Sequence, residues 1–161
     1  MIKKIASFIL NYLGFKSKIY LNNSILIKNV SKFIVNECIV GDYYEFGVYR
    51  GQTLISFYKV IQSTAKKRIN TGKITGLNNS SHMKRKKILS DMNFHAFDSF
   101  EGLPELSAKD KLSEDFSKGQ YLSSIQIVKD LAKKHGMPLA KIQFHEGWFS
   151  KTCTKSYAEK K

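Results

Sequence analysis

Cysteine is almost missing from this chain: Cys38 and Cys153 are the only two, far apart. That excludes a disulfide framework or a zinc cluster and points to a reducing compartment, the cytoplasm, with both thiols ordinary ones. Arginine is equally thin, with Arg50, Arg68 and Arg85 the only ones among 27 basic residues. No apolar run is long enough to cross a bilayer. The N-terminal "MIKKIASFILNYLGFKSK" imitates a secretion signal, but Asn11 and Tyr12 break its apolar stretch and no small-residue cleavage site follows. Ile2, Ile5, Ile9 and Tyr12 fall instead on one helical face. What is present, 161 residues of which 42% are hydrophobic, suits one domain with a real core.

The net charge of +14 raises nucleic acid or an anionic surface as a partner. The arginine shortage argues against it, because readers of phosphates and base edges favour the bidentate guanidinium. The lysines are scattered through a chain also rich in Ile and Asn, so nucleic acid is the weaker expectation.

Along the chain, "SILIKNVSKFIVNECIV" puts Ile27, Val30 and Ile34 at helical spacing, with Cys38 one turn on, and predicts a helix to about Glu37. "GDYYEFGV" reads as a strand that stops at "YRG". From Gln52 the period changes: Leu54, Phe57, Tyr58 and Ile61 make a helical stripe, with Thr53 or Gly51 near the N-cap. "STAKKRINTGKITGLNNSSHMKRKK" is basic and turn-rich without sustained periodicity, and is expected to be a surface loop. Phe94 to Phe97 is a second strand, and "SAKDKLSEDFSKGQY" a polar loop. In "SSIQIVKDLAKKHGMP", Ser123 and Gln126 fit a capping box, Ile125, Val128 and Leu131 or Ala132 form the stripe, and Gly136 and Pro138 end the helix. "KIQFHEGWF" closes as a third strand.

Alternating helices and strands predict an α/β fold with a parallel sheet, whose ligands lie beyond the carboxyl ends of the strands. There the three strands offer Glu45, Gly47 and Gly51, then Asp98, Ser99 and Glu101, then His145, Glu146, Gly147 and Trp148. "EFGVYRG" lacks the full glycine fingerprint of a dinucleotide site. A carboxylate at Glu45 suits an ammonium better than a phosphate, and one ending the second strand is the usual partner of ribose hydroxyls. The implied ligand is a nucleoside with a cationic, amine-bearing tail. S-adenosylmethionine fits.

"EFGVYRGQT", "FDSFEGLPE", "DFSKGQY" and "EGWFSKT" occur in this order in the macrocin O-methyltransferase family, which the chain resembles over about residues 38 to 152. The resemblance implies a Rossmann-like class I methyltransferase fold using S-adenosylmethionine and a divalent cation (Mg) to methylate a sugar or other small-molecule hydroxyl. By position it implies a cofactor loop at Glu45, Gly47, Val48 and Gly51, a ribose-facing Asp98 with Ser99 beside it, and an adenine-side wall at Gly147 and Trp148. Glu101 either joins them or only caps its turn. The family's aspartate-rich fourth strand, which carries the metal ligands, has no counterpart before Lys161. The expectation is therefore an incomplete fold, about three parallel strands with flanking helices, no metal ligands and no assignable catalytic residue. Its division is an N-terminal helical segment, 1–38, and a truncated cofactor-binding domain, 39–161, inactive alone and prone to self-association through an open sheet edge.

Plainer readings stand beside these. Glu45 reads also as a surface strand residue, Asp98 as the start of an Asx-turn, and Trp148 as a core aromatic. His82, His95, His135 and His145 show no metal-ligand spacing; His145 alone, at a strand's carboxyl end, invites suspicion. The rival functions are a non-catalytic cofactor-binding remnant and a nucleic-acid methyltransferase or binder using the lysine-rich segment.

Overall fold

The computed structural model describes residues 25–75, 79–105 and 116–155. The N-terminal helix expected from Ile2 to Tyr12 lies outside them. A first helix, α1, covers 25–36, followed by β1 (Tyr43–Phe46), α2 (Gln52–Thr75), α3 (Asn79–Ser90), β2 (Phe94–Asp98), α4 (Ile125–Lys134), a 3₁₀ turn (Leu139–Lys141), β3 (Ile142–Glu146) and a short α5 (Phe149–Thr152). The three strands form one parallel sheet in the order β1-β2-β3. The α/β class with flanking helices is as expected.

Register gives the sheet two faces. Tyr43, Phe94 and Ile142 align across the strands, then Glu45, Ala96 and Phe144. This face meets the helices: Tyr43 stacks on Phe57 of α2 at 4.3 Å, and Leu54, Ile61, Ala65, Ile88, Val128 and Ala132 complete a buried cluster with Phe94 and Ile142. The α2 and α4 stripes are those read from the sequence, because a 3.6-residue period puts these apolar positions on one side. On the other face Phe46, Phe97 and His145 align and stack in a row across the sheet, Phe97 lying 4.9 Å from Phe46 and 4.1 Å from His145.

One level below that row, His95 is fully buried. Its Nε2 lies 3.2 Å from Asp42 Oδ2 and its Nδ1 3.0 Å from His145 Nε2. A carboxylate only accepts, so His95 donates through Nε2 to Asp42, while its Nδ1 shares one hydrogen with His145. Asp42 also takes the Asn93 N–H at 2.9 Å, so one hydrogen-bonded chain ties the start of β1 to β2 and β3.

Three local expectations are corrected. The basic segment is not a surface loop: α2 runs on to Thr75 and α3 occupies Asn79–Ser90. These helices carry a weak apolar pattern of their own and are held by packing, through Ile69, Arg85 and Ile88; Arg85 donates from Nε to the Val35 carbonyl at 3.1 Å. In α1 the inward stripe is Ile27, Ser31, Ile34 and Val35, while Val30 is exposed and Cys38 lies past the helix end in a left-handed conformation. At α4 the cap is Ser124, whose Oγ accepts from the Ile127 N–H at 3.3 Å; Ser123 is buried instead, its hydroxyl without a partner among the described residues.

Candidate functional site

The loops leaving the three strands meet around the end of β2. Gly47 continues β1 by donating its N–H to the Phe97 carbonyl at 2.9 Å, and Gly147 continues β3 by donating to the Asp98 carbonyl at 3.0 Å. Each then turns away with positive φ, +84° and +130°, where a side chain is strained. Between them opens a crevice of about 490 Å³ lined by Gly47, Tyr49, Asp98, Ser99, Gly147, Trp148 and Phe149. Its far wall is Leu103, Pro104 and Tyr121. That volume suits a nucleoside-sized ligand.

Asp98 organises the crevice. Its Oδ2 accepts the N–H groups of Val48 at 2.7 Å and Tyr49 at 2.8 Å, and its Oδ1 that of Phe100 at 2.8 Å. The carboxylate therefore clamps the loop after β1 to the loop after β2. These are charge-assisted bonds, which explains how Tyr49 and Phe100 are held at φ of 51° and 56°. Ser99 closes the next turn, its Oγ accepting from the Glu101 N–H at 3.2 Å, while Glu101 itself is exposed. The Asx-turn reading of Asp98 is thus present in the structure, alongside its place in the crevice wall.

The glycine and proline that end "FDSFEGLP" bring the far wall close. A Cβ on Gly102 would stand 2.7 Å from the Gly119 carbonyl oxygen, so only glycine permits the approach. Leu103 then exchanges backbone hydrogen bonds with Gln120 and Gly119, at 2.8 and 2.9 Å. This brings in Tyr121, which meets Tyr49 edge to face at 5.6 Å.

Of the residues expected to hold a cofactor, Gly47, Asp98, Ser99, Gly147 and Trp148 line the crevice; Glu45, Val48 and Gly51 do not. Val48 is buried in the core. Gly51 sits at φ +75°, and a Cβ there would lie 2.7 Å from Val128 Cγ1, so it lets α2 and α4 pack closely. Glu45 lies behind the loop, on the sheet face that carries Tyr43 and α2. It accepts the Tyr43 hydroxyl at 2.7 Å and the Leu54 N–H in the first turn of α2. Burial outweighs both bonds and, with the Asp98 charge nearby, raises its pKa from 4.5 to about 7. Burial and the Glu45 charge raise the Tyr43 phenol as well.

Sequence reasoning missed Tyr49, Tyr121, Gly102, Leu103, Pro104 and Phe149. Tyr49 and Tyr121 were visible as aromatics beside Gly51 and Gly119, but nothing local shows that their rings meet. Among the described residues, no group of three or more His, Cys, Asp or Glu side chains is arranged to hold a metal ion. No helix among them is long and apolar enough to cross a membrane.

A three-stranded parallel sheet with flanking helices has its crevice at the carboxyl ends of the strands, where parallel α/β sheets take their ligands. The fold resembles that of a solved methyltransferase: the chain is similar to the structure of the O-methyltransferase NovP, with a TM-score of 0.56 and 17% sequence identity. The match covers 83% of this chain and 48% of NovP, so the chain spans about half the length of that structure. No family model and no curated protein sequence matches the chain.

Proposed function

We propose that this chain binds S-adenosylmethionine in the crevice beyond β1, β2 and β3, as a methyltransferase of the macrocin O-methyltransferase kind acting on a sugar or other small-molecule hydroxyl. The observation that carries the reading is the meeting of Gly47, Asp98, Ser99, Gly147 and Trp148 around one crevice. The motifs that contain them are those of the resemblance, and the fold likeness agrees. Bound there, the cofactor supplies an electrophilic methyl group on a sulfonium. An acceptor hydroxyl would take that methyl group and release its proton to solvent, giving a methyl ether and S-adenosylhomocysteine.

The chain's own part in this is positioning and exclusion of water. Asp98 holds the loop that carries Gly47 and Tyr49, and the remaining acceptor capacity of Oδ1 is available to a ribose hydroxyl. Trp148 and Tyr121 offer apolar walls to a flat base. Glu45 backs the loop from outside the crevice lining. The Mg ion implied by the resemblance has no matching ligand cluster among the described residues.

Calorimetric titration with S-adenosylmethionine, S-adenosylhomocysteine and NAD tests the reading. Preferential binding of the first two is expected, and tighter binding of NAD overturns it. Methyl transfer to a panel of sugar hydroxyls then separates an enzyme from a binding module.

A further inference from the structure

The basic helices that the crevice does not use contain a second cleft. It is a groove of about 380 Å³ between α1 and α2, lined by Lys32 and Asn36 from one helix and Ser63, Thr64, Lys67, Arg68 and Thr71 from the other. It shares no lining residue with the crevice.

Three cations line this groove and none of its lining residues is acidic; Glu37, one residue past Asn36, is the nearest acid in the sequence. The sequence has no Asp or Glu before Glu37 and none between Glu45 and Asp91, so α1, α2 and α3 contain not one carboxylate. Among the described residues the ion pairs are His95–Asp42 and Lys118–Glu105; neither touches the groove. Placing like charges side by side without a counter-charge costs stability, and an anion seated between them removes that cost. The hydroxyls of Ser63 and Thr71 donate to carbonyls of their own helix, at 3.0 Å each. The other lining donors are the two ammonium groups, the guanidinium fork of Arg68, the Thr64 hydroxyl and the Asn36 amide, a set suited to phosphate oxygens.

We infer that this groove binds a phosphate-bearing ligand of one or two phosphoryl groups, either free in solution or as the headgroup of an anionic lipid.

Inorganic pyrophosphate added to the 161-residue chain is the direct probe. A ligand that binds only the folded state raises the unfolding temperature, and this rise should shrink between about 50 and 200 mM salt. The double variant Lys67→Gln, Arg68→Gln, both exposed helical positions, keeps the helix and should weaken pyrophosphate binding by about tenfold or more. Lys134→Gln, on α4, should leave it unchanged. Phosphatidylglycerol vesicles, run beside pyrophosphate, tell a lipid headgroup from a soluble phosphate. The inference is overturned if pyrophosphate fails to stabilise the chain, or if Lys134→Gln weakens binding as much as the double variant does. Binding of a single-stranded oligonucleotide that outlasts the double variant, with no response to pyrophosphate, overturns it too and assigns the anion affinity to the lysine-rich surface at large.

Discussion

Asp98 clamps two loops and, in the proposed reading, also meets the ribose of the cofactor, so one substitution tests both roles. As an ionised carboxylate it accepts three backbone N–H groups; a side-chain amide in its place would turn an NH₂ toward at least one of those donors. Asp98→Asn should therefore lower both fold stability and affinity for S-adenosylhomocysteine, the latter by about 1–3 kcal/mol. Calorimetry beside thermal unfolding reads both, and unaltered affinity would move the ribose contact to another group. Glu45 carries a pH dependence whose sign follows from its raised pKa. The folded state keeps a proton that the unfolded chain releases near 4.5, so its contribution is present at low pH and is lost as pH rises to about 7. A shift of this size corresponds to about 3 kcal/mol. Glu45→Gln, which retains an acceptor for Tyr43 and Leu54, should flatten that stretch of the stability profile and stabilise the chain at pH 8 more than at pH 4. Denaturant unfolding at the two pH values would show it, and an unaltered slope would mean that Glu45 is better solvated than its burial suggests.

At the scale of elements, Gly51 joins α2 to α4 and His95 joins the strands. Gly51→Ala adds a methyl 2.7 Å from Val128 Cγ1 at a φ of +75°, and should cost about 1–3 kcal/mol. Pairing it with Val128→Ala relieves the clash but not the strained φ, so rescue should be partial; full rescue would show that the backbone there is relaxed. His95→Ala removes two hydrogen bonds and opens a cavity at a fully buried position, for about 3 kcal/mol by chemical denaturation. His145→Ala, at a less buried position, should cost less. These elements differ in how legible they were. The strands, the glycine turns and the α2 and α4 stripes announce themselves because side-chain period and backbone sterics are local. The Lys66 to Lys87 helices do not, since their outward lysines, serines and asparagines dilute the apolar signal and Gly72 and Gly76 imitate turns. Their order comes from α2 packing on α3 and from Arg85 reaching Val35, contacts that no local window contains. The His95 chain was hidden for the same reason: Asp42, His95 and His145 are 50 or more residues apart and meet only through sheet register.

For the whole molecule, the open side of β1 sets the behaviour. Among the described residues β1 pairs with β2 alone, which leaves a row of backbone donors and acceptors along its other side. Its outward side chains are apolar as well, with Tyr44 38% and Phe46 58% exposed. Such an edge recruits another chain unless something blunts it, and neither a lysine nor a proline lies within Tyr43–Phe46. Opposing this is the net charge of +14, which pushes copies of the chain apart. The two forces separate by their response to salt. Screening weakens repulsion across a Debye length of about 10 Å at 0.1 M, whereas strand pairing and aromatic burial act at contact and are barely screened. The 161-residue chain should therefore be mainly monomeric in dilute buffer and associate as salt and concentration rise, as followed by light scattering on a sizing column. Phe46→Lys puts a charge on the edge and removes its largest exposed ring, so it should hold the chain monomeric at the same salt without disturbing the covered face of the sheet. Association that salt weakens, or that Phe46→Lys leaves intact, would place the contact elsewhere, for instance on the exposed Leu26 and Phe33 of α1.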